Sequence, residues 1–126
     1  MDNDKFEQII ARAVGNIREP YKSRLQNVAF ILEDNPSAEQ RQKLALRHDQ
    51  TLFGLYEGVP LPQRGGATKL LPDKITIFKN PIIAVSHTEA EVEQQVGQTI
   101  WHEVAHYFGL DHTRIHELEN KKNSEA

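Results

Sequence analysis

The chain has 126 residues, 38% of them apolar, which suits one hydrophobic core rather than two. Its 18 acidic and 15 basic residues give a formal net charge of −3 and are scattered, so no basic face suited to a nucleic-acid backbone is visible. The absence of cysteine excludes a disulfide framework, a thiolate nucleophile and a cysteine-held zinc, leaving histidine and carboxylate as ligands for any transition metal. No apolar run approaches the ~20 residues of a membrane span, and MDNDKFEQII lacks the basic-then-apolar pattern of a secretory leader. A cytoplasmic location with neither membrane nor nucleic-acid partner is therefore expected.

In the first segment Phe6, Ile9, Ile10, Ala13, Ile17 and Tyr21 recur at helical spacing behind the capping candidates Asp2 and Asn3, with Pro20 marking an end. An amphipathic helix packed on a sheet is predicted. NVAFILED, residues 27–34, reads as a strand, and the Asn35-Pro36-Ser37 turn supplies an N-cap for a helix over residues 38–46. TLFGLYEG, residues 51–58, is a second strand, followed by an exposed loop over residues 59–69 that carries two prolines and a Gly-Gly pair. DKITIF, residues 73–78, alternates with Ile75 and Ile77 on one face, and a short helical turn follows through Ile83. Because this third strand is short and flanked by Lys74 and Lys79, it is the expected sheet edge to which an extended substrate could add. A long helix is predicted between His87 and Gly109, with Thr88 as N-cap and Glu91 three positions later in a capping box. Residues 1–118 are expected to form one domain, and the polar tail 119–126 to fray.

The long helix ends in HEVAHYFGLDH, residues 102–112, which holds three of the chain's six histidines. At about 100° per residue, His102 and His106 lie about 40° apart on one face and can grip one ion, while Val96, Gly97, Ile100, Val104 and Phe108 fall on the far side. Glu103 sits at the flank of the pair, where a carboxylate can deprotonate a metal-held water without ligating the ion itself. Gly109 permits the left-handed backbone that ends a helix and turns the chain back, which can bring His112 in as a third ligand. Three nitrogen donors with an open fourth position suit one catalytic zinc ion. Random shuffling of this composition gives the full HExxHxxGxxH pattern in roughly one chain in 10,000, so coincidence is a poor explanation.

With these residues in place, the chain resembles the zincin-like metallopeptidases, in particular a family of minimal, single-domain bacterial proteins with a HExxHxxG helix and metzincin-like spacing. Beyond the helix, the resemblance covers NVAFILED, GLYEGVPLPQRG and LPDKITIF in the same order. It implies an α+β, zincin-like fold, a small mixed β-sheet packed with an N-terminal helix and the long HExxH helix, and a zinc-dependent peptidase acting on peptide or unfolded protein. Many relatives carry an acidic residue at the position of His112, so Asp111 is the alternative ligand or an outer partner orienting an imidazole. The only methionine is Met1, so the methionine turn of full-sized metzincins has no counterpart.

A hydrolytic site of this kind also needs an oxyanion donor, and Tyr56, Arg64, Tyr107 and Arg114 are the candidates. Two other readings compete. The segment Gly109-Leu110-Asp111-His112 also fits the metal-dependent endoribonucleases of rRNA maturation, which lack a glutamate after the first histidine. Alternatively, the site is a non-catalytic metal- or partner-binding module that stabilises the fold by binding energy. His48, His87 and His116 have no spacing that suggests a second site, and Trp101 is expected to pack in the core.

Overall fold

The computed structural model describes residues 1–46, 52–63, 72–111 and 113–118. Along the chain run α1 (Asn3–Gly15), α2 (Tyr21–Arg24), β1 (Val28–Glu33), α3 (Ala38–Leu46), β2 (Gly54–Glu57) and a 3₁₀ turn (Leu61–Gln63). There follow β3 (Asp73–Phe78), α4 (Lys79–Ala84), α5 (Glu89–Tyr107) and a last helix, α6, over residues 113–118. The mixture of helices with one small sheet is the α+β class expected. No helix among the described residues is long and apolar enough to cross a membrane.

The sheet has three strands in the order β1-β3-β2, with β1 parallel and β2 antiparallel to β3. DKITIF is therefore the central strand and not the edge. Ile75 stands opposite Phe30 on one side and Tyr56 on the other, and the strand is buried on both faces, with Thr76 and Phe78 as inaccessible as Ile75 and Ile77. The sequence misleads here because threonine and lysine suggest a wet face. Lys74 instead reaches across to Glu57, 3.8 Å away, and Lys79 opens α4, where its Nζ donates to Asn3.

Helix α1 starts as expected, with the Asp2 carboxylate accepting from the Lys5 N–H. It is shorter than the apolar spacing implies, ending at Gly15 and packing chiefly against α5 rather than lying directly on the sheet. Ile17 and Tyr21 lie beyond its end yet still face α5, the Tyr21 ring resting 5.3 Å from Trp101 and 5.1 Å from Phe108. Their helical spacing is thus produced by a chain that turns and continues along the same partner. Pro20 caps α2 instead of closing α1.

Ser37 and Gln40 exchange side-chain and backbone hydrogen bonds at the start of α3. Lys43, farther along the helix, is 2.8 Å from Glu57 of β2. The core is a single stack in which Phe6, Ile9 and Ile10 of α1 meet Val92, Val96, Ile100 and Val104 of α5, and α5 in turn covers Tyr56, Ile75 and Ile77. This arrangement leaves α5 fixed on both sides, as a helix carrying a rigid site requires.

Candidate metal centre

The site is built from the last turns of α5. Its start is held by the predicted capping box, in which the Glu91 N–H donates to Thr88 Oγ1 at 3.1 Å and the Thr88 N–H donates to Glu91 Oε2 at 3.2 Å. Val96, Ile100 and Val104 are buried on the side turned to the core, which leaves His102 and His106 half-buried on the other. Their rings stand edge to face with centroids 4.7 Å apart. Donor atoms from His102, Glu103 and His106 all lie within 4.8 Å of one another, the one such group of three among the described residues.

Glu103 is completely buried. Its Oε1 accepts the Tyr56 N–H at 3.0 Å, and no hydrogen bond reaches Oε2 among the described residues. The Tyr56 N–H is available because Phe53 and Leu55 direct their hydrogen-bonding groups at β3, so that those of Tyr56 point the other way, to the outer rim of the sheet. What lets α5 come close enough is Gly54. A Cβ there would lie 2.6 Å from Thr99 Cγ2, 3.1 Å from the Thr76 carbonyl and 3.4 Å from Glu103 Cγ. Neither Gly54 nor the Tyr56 N–H was among the sequence candidates, although a glycine inside a strand is a known sign of close backbone approach.

Gly109 has φ +73°, the left-handed conformation expected. Its N–H donates to the His106 carbonyl at 2.9 Å and the Leu110 N–H to the Ala105 carbonyl at 3.0 Å, the paired bonds of a Schellman cap. The Pro62 ring lies 2.8 Å from where a Cβ of residue 109 would stand, so the proline loop after β2 rests on this turn. Asp111 then caps α6, its Oδ1 accepting from the Arg114 N–H at 2.8 Å and its carbonyl from the Ile115 N–H at 3.0 Å. His112, Arg64 and His48 lie outside the described residues.

The described oxyanion candidates have their side chains engaged elsewhere. The Tyr56 hydroxyl donates to Asp73 Oδ2 at 2.6 Å inside the core. That of Tyr107 is 3.3 Å from both the N–H and the carbonyl of Gln26, and Arg114 is exposed and 3.3 Å from Glu117. Trp101 is half-buried against Tyr21, while His87 and His116 are exposed.

Two imidazoles converging from one helix, with a buried carboxylate beside them, fit zinc or another divalent transition metal held by nitrogen donors. The family model for zincin-like metallopeptidases matches residues 25–122, well over half of the chain, and the protein belongs to that family. No curated protein matches the chain. Among solved structures, it is similar to a conserved hypothetical protein from T. thermophilus at 20% identity and a TM-score of 0.56, covering 86% of this chain and 94% of that one. That likeness concerns the fold alone.

Proposed function

We infer that the chain is a zinc-dependent peptidase that hydrolyses peptide or unfolded-protein substrates. His102 and His106 would hold the ion, His112 would complete the ligand set, and Glu103 would act as general base. What supports this most is the placement of Glu103, fully buried beside both imidazoles with one oxygen fixed by the Tyr56 N–H. A carboxylate kept only to balance charge has no need of such a mount.

Bound zinc would supply a Lewis acid for the scissile carbonyl and lower the pKa of water towards about 7. Glu103 would take the proton of the attacking water and later deliver it to the leaving nitrogen. With Oε1 tied to the rim of β2, the carboxylate has lost most of its rotational freedom before substrate arrives. The strand nearest the site is β2 and not β3, so an extended substrate would meet the molecule along that rim.

The test is digestion of a diverse library of unstructured peptides by zinc-loaded protein, read by mass spectrometry, with Glu103→Gln as the matched control. Glutamine keeps a carbonyl for the Tyr56 N–H but cannot accept a proton, so a loss of about 10²- to 10⁴-fold in cleavage with zinc retained is expected. Cuts that survive unchanged in the variant would refute the role of Glu103, and a folded, zinc-loaded wild type that cuts nothing would favour a binding module instead.

A further inference from the structure

A second concave site lies on the opposite side of α5. It is a cleft of about 390 Å³ between α1, α5 and α6, within the roughly 300–1,000 Å³ usual for small-ligand sites. Counted at about 100° per residue, Glu93 and Gly97 point about 140° to 180° away from His102, so this cleft is not part of the metal centre. Its apolar wall is formed by Ile9, Ile17, Ile100 and the Trp101 ring. Gly97 makes room, since a Cβ there would meet nothing within 4 Å.

The polar groups of the cleft are unequal in charge. Arg12 is balanced by Glu93, 2.6 Å away. Arg18 has no carboxylate within ion-pair distance among the described residues, and its Nη1 donates only to the Leu118 carbonyl, at 2.8 Å on the cleft wall. A guanidinium has five donor hydrogens in a fork, so most of this one's capacity is unused by described protein groups. A half-buried cation with spare donors beside an apolar wall is complementary to a small amphiphile with a single carboxylate.

We propose that this cleft binds a small monocarboxylate with an apolar body, the carboxylate on Arg18 and the body against Trp101 and Gly97. The site is independent of the peptidase reading and stands or falls without it.

Trp101 is the chain's only tryptophan, so its emission reports directly on the cleft. The experiment titrates the full chain with octanoate, octan-1-ol and octylamine below micelle-forming concentrations, following Trp101 fluorescence and, in parallel, binding heat. Octanoate is expected to bind saturably at one site, octanol at least about tenfold more weakly and octylamine not at all, because only the carboxylate gains the charge-assisted bonds. Arg18→Gln should weaken octanoate by about tenfold for the same reason. Gly97→Leu should abolish binding by filling the cleft, with thermal stability unchanged or raised because leucine is the better helix former. No saturable heat with octanoate would overturn the proposal. So would equal affinity for octanoate and octanol, or octanoate binding that survives Gly97→Leu in a folded protein.

Discussion

At the scale of single residues, the site depends on a glycine that carries no chemistry. Gly54 leaves the space into which Thr99 and Glu103 press, and only at that separation can Glu103 take the Tyr56 N–H. Gly54→Ala would place its methyl 2.6 Å from Thr99 Cγ2, so α5 must shift off β2 at a cost of about 1–3 kcal/mol, measurable by urea unfolding. Thr99→Ser removes that methyl while keeping the hydroxyl that bonds to the Gln95 carbonyl. The double variant should therefore regain part of the loss, the remainder reflecting the Thr76 carbonyl at 3.1 Å, and strict additivity of the two changes would refute this contact. His102, Glu103 and His106 were legible in the sequence because helical geometry alone puts them together. The Tyr56 N–H was not, since it depends on which side of β2 pairs with β3, a fact that no local pattern encodes.

Among the elements, the turn from α5 to α6 shows both the reach and the limit of sequence reading. Gly109 announces a left-handed helix end, and the Schellman bonds follow. Asp111 is more ambiguous in sequence, because an acidic residue beside a metal motif suggests a ligand, whereas in the structure its carboxylate caps α6. The two roles separate experimentally. Asparagine caps helices about as well as aspartate, so Asp111→Asn should leave both stability and zinc affinity unchanged, while Asp111→Ala should cost about 1 kcal/mol. A large fall in zinc affinity for Asp111→Asn, followed with a competing chelator, would make Asp111 a ligand after all. The misplacement of DKITIF has a related origin. Alternation identifies a strand, but the position of that strand within the sheet is decided by what covers its second face, and Thr76 and Phe78 are covered.

On the scale of the whole molecule, the stack of α1 on α5 on the sheet was only partly legible, because apolar spacing specifies that a face is buried but not against what. The outer face of β2 adds a polar tie that bears on how stability varies with pH. Burial pushes the Glu57 carboxyl up, but the hydrogen bonds from Lys43 and Gln40 and the charges of Lys43 and Lys74 outweigh it, leaving the group below its ordinary value of 4.5. A carboxyl depressed in the folded state binds protons more readily when unfolded. Its contribution is thus fully present above about pH 4.5 and is lost as the pH falls through the folded value. Glu57 is only partly shielded from solvent, so the contribution should be at most about 1 kcal/mol. Urea unfolding of metal-free wild type and Glu57→Gln at pH 7 and at successive steps below pH 4.5 isolates it from the other acid-sensitive groups. The wild type should be the more stable at pH 7, and the two curves should converge as the pH drops. A stability difference that stays constant across that range would mean that Glu57 contributes through packing rather than through its charge.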